Sequence, residues 1–324
     1  MDVRRVTPDE LDSLTALLST RRYHDYRLYP RFSPEDRARV LRRELETAGT
    51  RGVVMVALDG GRRVGVASLE PLAWDSTFFG LPMGRIGTLV VDPAANARRV
   101  LAVLLDEAMQ AAREGGLEHV AARADAEDLE AVQALEARGF RLMDCLITYM
   151  FDCRQGRVAA IKRFNPIRHY RPEDRAGVLA VVGQMFADYA GRFMRDPGLE
   201  GAATRRFYLE WVENACAGTM ADSVLVSVRG GKVVGFLTWR TTPAVFEATG
   251  IRIAGQGICG VLPEGAGAYP ALVRAAIVEH RKEYDFAEMD TPIQHIVSQR
   301  VFQGVGAQLV RSKYTLHWSE KGSA

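Results

Sequence analysis

Cysteine is scarce in this chain. Its 324 residues include four, Cys145, Cys153, Cys216 and Cys259, and no two form a CxxC pair. That scatter argues against a disulfide framework or a thiolate metal site and suits reduced thiols, so no metal is expected. HExxH, GxSxG and P-loop patterns are also missing, which removes the commonest metalloprotease, hydrolase and NTPase readings. No apolar run approaches the length of a membrane span, and the opening MDVRRVTPDELDSL lacks the apolar core of a signal peptide. The expectation is a cytoplasmic protein with no membrane partner. Neither sign of charge dominates: 42 Lys and Arg face 40 Asp and Glu, a net +2. The densest arginine cluster (Arg37, Arg39, Arg42, Arg43) is interleaved with Asp36 and Glu44 along one predicted helix. That is a solvated face with helical ion pairs, so no nucleic-acid partner is expected.

What is present is an ordinary folding composition, 48% hydrophobic and 25% charged, in a chain long enough for two cores. The chain also contains a repeat. Residues 54–70 read VMVALDGGRRVGVASLE and residues 224–240 read VLVSVRGGKVVGFLTWR. Val54, Val56, Gly60, Gly61, Val64 and Gly65 recur as Val224, Val226, Gly230, Gly231, Val234 and Gly235. Gly-Gly between alternating β-branched residues predicts a tight hairpin in each copy, because such turns need positive φ. Both halves open alike (VRRVTPDELDSL, IRHYRPEDRAGV) and close alike (GFRLMDCLITYMF, GAQLVRSKYTLHW). The order in each is strand, helix pair, hairpin, strand, helix, strand, helix, strand. We read a duplication of α+β type: an N-terminal domain over residues 1–153, a linker over 154–166 and a C-terminal domain over 167–324.

These residues resemble the GNAT superfamily of acyl-CoA-dependent N-acyltransferases. More narrowly they resemble its dTDP-fucosamine N-acetyltransferase branch, through Trp74-Asp75-Ser76-Thr77-Phe78-Phe79-Gly80-Leu81-Pro82, Asp125-Ala126-Glu127-Asp128-Leu129 and Tyr314-Thr315-Leu316-His317-Trp318. The resemblance implies two tandem GNAT domains, each a mixed twisted sheet flanked by helices. It implies acetyl-CoA as cosubstrate, a small amine as acceptor (a nucleotide-linked amino sugar or natural-product amine), and a monomer or homodimer. In this family a strand splays from its neighbour to receive pantetheine. The following loop and helix N-terminus, written Gln/Arg-x-x-Gly-x-Gly/Ala, receive the pyrophosphate. The C-terminal copy keeps small residues there, in Val261-Leu262-Pro263-Glu264-Gly265-Ala266-Gly267-Ala268-Tyr269. The N-terminal copy, Asp92-Pro93-Ala94-Ala95-Asn96-Ala97-Arg98-Arg99-Val100, has no glycine. The resemblance therefore places acetyl-CoA in the C-terminal half, against Cys259, Val261, Gly265, Ala266, Gly267, Ala268, Tyr269, His295 and Ser298. The N-terminal copy is expected to be degenerate, although Arg98 and Arg99 are placed to meet a phosphate.

GNAT enzymes often protonate the leaving thiolate with the tyrosine of an N-x6-Y pattern. Here His295 stands at the asparagine and Phe302 at the tyrosine, and in the first half the tyrosine position is Leu135. His295 and Tyr314 are the replacement catalytic candidates, with Asp290 a weaker one. Two other readings stay open: a CoA-binding pseudoenzyme or scaffold, favoured by the missing tyrosine, and an aminoacyl-tRNA-dependent transferase, which also uses tandem GNAT folds.

Overall fold

The computed structural model describes residues 1–158, 165–187, 189 and 191–320. In chain order the first half runs β1 (Asp2–Arg5), α1 (Thr15–Ser19), α2 (Pro34–Arg51), β2 (Val53–Asp59), β3 (Arg62–Pro71) and α3 (Ala73–Phe79). It continues with β4 (Met83–Val91), α4 (Ala97–Glu114), β5 (His119–Asp125), α5 (Leu129–Glu136) and β6 (Arg141–Asp152). The second half repeats the order: β7 (Ile167–His169), α6 (Arg175–Met185), α7 (Gly201–Cys216), β8 (Ser223–Arg229), β9 (Lys232–Thr241) and α8 (Pro243–Thr249). Then come β10 (Ile253–Val261), α9 (Ala268–His280), β11 (Phe286–Pro292), α10 (Ile296–Gly304) and β12 (Gln308–Ser319). The short helices α3 and α8, at matching places in the repeat, were not foreseen.

Local chemistry explains the elements. Ser33 caps α2 by accepting the Asp36 N–H while the Asp36 carboxylate receives the Ser33 N–H, and Pro34 occupies the first turn. Both predicted hairpins form. Gly60 and Gly61 have φ of 57° and 82°, and Gly230 and Gly231 have 56° and 78°, values that side chains resist.

The chain divides into two compact units, and the division is not the simple cut between sequential halves. The first unit comprises Met1–Cys145, Arg195–Gly198 and Arg311–Ala324; the second comprises Leu146–Met194 and Leu199–Val310. Part of the expected linker, residues 159–164, lies outside the described residues. In the first unit β1, β2, β3 and β4 are successively antiparallel, β4 runs parallel to β5, and β5 pairs antiparallel with β12, Lys313 opposite Asp125 through Ser319 opposite His119. In the second unit β7, β8, β9 and β10 follow the same plan, β10 is parallel to β11, and β11 pairs with β6, Phe286 opposite Asp152. The closing strands are thus exchanged: each sheet is completed by the last strand of the other half.

Period-two alternation sets the layers of the first unit. Met55 and Ala57 join Val100, Leu101, Leu104 and Ala108 of α4, together with Leu316 and Trp318 of β12. Val54 and Val56 face the other way, onto Leu41 and Leu45 of α2 and Leu14 and Leu18 near α1. In the second unit Val178, Val181 and Val182 of α6 and Ala271, Leu272 and Ile277 of α9 are buried. Each such leucine or valine contributes roughly 1.5–3 kcal/mol of burial.

Candidate functional site

In both units the two parallel strands pair over a short stretch and then diverge. In the first, β4 and β5 pair only from Met83–His119 to Ile86–Ala122, after which β4 runs on to Val91 alongside β3. In the second, β10 and β11 pair only from Ile253–Phe286 to Gln256–Met289. Beyond these points the two units differ.

In the first unit the splay opens into a cavity of about 460 Å³, within the range of small-molecule sites. Its floor is the end of β4, Leu89 to Val91, and the loop from Asp92 into α4. Arg21, Arg22 and Tyr23 come from the segment after α1, and Asp128 from the start of α5. Asn96 caps α4 by accepting the Arg99 N–H at 3.1 Å, which leaves the N–H groups of Ala97 and Arg98 in a first turn that has no helical acceptor for them. A helix N-terminus beside three arginines, Arg21, Arg22 and Arg98, is an anion-binding arrangement. Asp92 is already neutralised by Arg62 at 2.6 Å. Asp128 caps α5 through the Ala131 N–H, and burial pushes its carboxyl above the usual carboxylate range.

Arg21, which lines this cavity, also acts electrostatically on a cluster of charged side chains around Asp25. Lys313 of β12 bonds the Asp25 carboxylate at 2.6 and 2.7 Å, with Arg311 at 3.8 Å. Burial would raise the Asp25 carboxyl, but Lys313, Arg311 and Arg21 together outweigh it and hold it well below the usual range. Glu44 of α2 is within electrostatic reach of Asp25, Arg21, Lys313 and Arg85. Its carboxyl is pushed up, first by the protein around it and then by Asp25. The residue is nevertheless exposed to solvent and not sealed in a core. Glu70 at the end of β3 accepts from Arg85 Nε at 2.9 Å and is 5% exposed. None of Asp25, Glu44, Glu70 or Lys313 was singled out for chemistry from sequence; they meet only through folding, and Glu44 reads in sequence as one more charge on a solvated helix.

In the second unit, side chains of β10, α9 and α10 meet at the corresponding place. Tyr269, in the first turn of α9, holds the position that Arg98 holds in α4. Its hydroxyl accepts from Gln256 Nε2 of β10 at 3.4 Å and bonds Ser298 of α10, and its ring meets Phe302 at 6.1 Å. The ring therefore spans β10 and α10, and burial pushes its phenol pKa upward. Cys259 is beside it, with its thiol likewise pushed up by burial, which makes it a poor nucleophile. Gly265 is a glycine for packing reasons, since a Cβ there would stand 2.8 Å from the Val234 carbonyl oxygen. Gly267 has φ of 88° and precedes α9, whose first residue, Ala268, is fully buried; Ala266 joins the short turn to it, and Val261 pairs with Gly235.

The two catalytic candidates are not brought together. His295 precedes α10 in the second unit, with its ring against Tyr189 at 5.2 Å. Tyr314, the other candidate from the second half of the sequence, belongs to the first unit: on β12 it pairs with Ala124 and packs against that unit's core. The strand exchange is the reason. Asp290 accepts the Thr148 hydroxyl at 2.5 Å, a structural use. Both positions of the family's tyrosine are buried and apolar, Leu135 at 1% exposure and Phe302 at 0%.

Residues 17–140 match the acetyltransferase (GNAT) family. Among solved structures, a GCN5-related N-acetyltransferase from Sphaerobacter thermophilus aligns over 98% of this chain and 95% of its own, with TM-score 0.63 and 14% identity. A tandem GNAT protein from the clavulanic acid biosynthesis pathway aligns over 98% of both chains, with TM-score 0.56 and 16% identity. The fold is that of tandem GNAT proteins. A glucosamine N-acetyltransferase region in a fungal multi-domain GH3 β-N-acetylglucosaminidase also aligns, with TM-score 0.63 and 18% identity over 98% of this chain, which spans 38% of that protein's length. No curated protein matches the sequence. Among the described residues no helix is long and apolar enough to cross a membrane.

Proposed function

We propose that this tandem GNAT chain transfers a short acyl group, acetyl first among them, from CoA to a small amine, and that the donor lies in the first unit. One observation carries the choice of unit. At equivalent helix starts, the first unit has Arg98 beside an open cavity of about 460 Å³, and the second has the half-buried Tyr269 ring reaching Gln256 of β10 and Ser298 of α10. The match of residues 17–140 to the family supports the same unit. The free edge of β4 beyond Ile86 suits the amides of pantetheine, while the start of α4 and Arg98 suit the pyrophosphate.

Acyl transfer needs a neutral amine, a polarised thioester carbonyl and a proton for the thiolate. Glu44 is the base in this reading: its raised pKa narrows the gap to the substrate ammonium, and it lies within electrostatic reach of Arg21, which lines the cavity. With Leu135 at the family's tyrosine position, the Tyr23 hydroxyl is a candidate donor on the cavity wall. The mixed charges of the cluster favour an acceptor with an ammonium and an anionic group, of which a nucleotide-linked amino sugar, as in the dTDP-fucosamine branch, is one example. Free-thiol release across an amine panel tests the activity. Tight CoA binding without turnover on any amine would instead support a CoA-binding scaffold, and turnover only with charged tRNA would support the aminoacyl-tRNA-dependent class.

The second reading keeps the donor in the C-terminal unit, on Cys259, Val261, Gly265, Ala266, Gly267, Ala268, Tyr269 and Ser298, with His295 as acid. The matching divergence of β10 from β11 favours it, and it requires the Tyr269 ring to move aside. His295→Ala separates the two. The first-unit reading expects turnover and the Michaelis constant for acetyl-CoA to be unchanged; a loss of either supports the second.

A further inference from the structure

Apart from these groups, three side chains from distant parts of the chain converge inside the first unit. His119 begins β5, His317 is on β12, and Asp196 comes from the short Arg195–Gly198 segment that joins this unit. Their exposures are 0%, 2% and 5%. His119 Nε2 lies 2.8 Å and His317 Nδ1 2.6 Å from the same carboxylate oxygen, Oδ2 of Asp196. The other oxygen, Oδ1, accepts the Gly198 N–H at 2.8 Å, which fixes the carboxylate plane from the backbone.

This buried carboxylate needs a positive charge, and among the described residues its ion-pair partners are these two imidazoles alone. Neutral imidazoles leave a net negative charge out of water, which is costly. Either one imidazole is protonated or a cation replaces that proton. Two imidazole nitrogens and a carboxylate oxygen, all within 4.8 Å of one another, form a ligand set suited to a divalent transition metal. Bonds of about 2.0–2.2 Å to each, at tetrahedral angles, would spread each nitrogen from the carboxylate oxygen by about 0.5–1 Å from its hydrogen-bonded spacing. Nothing among the described residues bonds His119 Nδ1, so no partner locks the proton onto Nε2.

We infer that His119, Asp196 and His317 bind one divalent transition-metal ion of the Zn2+ class, which ties β5, β12 and the Arg195–Gly198 segment together. Binding exchanges the imidazole proton of this cluster for the metal, the proton leaving to solvent. The role is structural, separate from the acyl-transfer site.

The test uses the untagged full chain, stripped with EDTA and titrated with Co2+ and then Zn2+. The expected result is one equivalent of Co2+ per chain with the visible absorption of a low-coordinate nitrogen and oxygen site and no thiolate charge-transfer band. Zn2+ should displace it and raise the melting temperature. Asp196→Asn and His317→Gln should abolish the signal, and His169→Gln, at an exposed histidine, should leave it intact. If either cluster variant fails to fold, the wild-type stoichiometry and spectrum decide. No stoichiometric binding by the wild type, a thiolate spectrum, or a site that survives both cluster variants would overturn the inference; the first would assign the buried charge to a protonated imidazole.

Discussion

At the scale of single residues, His24 shows how geometry fixes a protonation state. Its Nδ1 accepts the Tyr26 N–H at 3.1 Å, so Nε2 carries the proton and donates to the Arg37 carbonyl at 2.7 Å. The neutral ring satisfies both bonds, and adding a proton would destroy the acceptor. Burial, with Arg21 adding to it, lowers the pKa to about 4. An unfolded histidine takes up its proton near 6.5, so this group's stabilisation is complete above about 6.5 and is lost as pH falls towards 4. The loss is on the order of 3 kcal/mol. Urea unfolding from pH 7 to 4 should show the slope in the wild type and a shallower one in His24→Gln; equal slopes would contradict it. Glu44 makes the opposite case, a carboxyl raised by its surroundings. If it is the base, turnover rises as pH climbs through its raised pKa, and Glu44→Gln loses that limb together with about 10²-fold or more in kcat. A variant that keeps the limb assigns the base elsewhere.

At the scale of elements, the sequence was most informative where local physics decides. The alternation around Gly60-Gly61 and Gly230-Gly231, the Ser33 cap and the apolar face of α4 each specify an element without help from distant residues. The exchange of β6 and β12 was not legible, because the segments GFRLMDCLITYMF and GAQLVRSKYTLHW carry nearly the same pattern and either can complete either sheet. That misplaced Tyr314. The charged cluster was hidden for a related reason: Asp25, Glu44 and Lys313 come from a loop, a helix and the exchanged strand. Tyr269 stands where the family's loop ends on Gly or Ala, yet the consequence, a hydroxyl bonded to both Gln256 and Ser298, depends on where α10 lies. The exchange makes its own prediction. Trp318→Ala removes a side chain 4% exposed in the first unit's core and should cost about 3–5 kcal/mol. Hydrogen exchange should then quicken in β5, Val120 to Ala124, the strand it pairs with. Loss of protection confined to β11 would show that the strand closes the other sheet.

For the whole molecule, duplication supplies two scaffolds, and a chain that needs one donor site can let the other drift. The copy richer in loop glycines also carries Tyr269 at its helix start, and its Gly265 and Gly267 meet packing and backbone demands that exist without any cofactor. The glycine-free copy keeps an open cavity and an arginine at the helix start. Glycine content and space for the cofactor thus point to different copies, and the proposal follows the space. The most direct measurement is calorimetric titration of CoA against wild type, Ala97→Glu and Gly267→Glu, with folding checked by circular dichroism because Gly267 has positive φ. A carboxylate at Ala97 places negative charge at the first turn of α4, where the pyrophosphate is expected. The account predicts that Ala97→Glu abolishes binding while Gly267→Glu, if folded, binds as the wild type does. Binding that survives Ala97→Glu and is lost in a folded Gly267→Glu would contradict it and return the donor to the C-terminal unit.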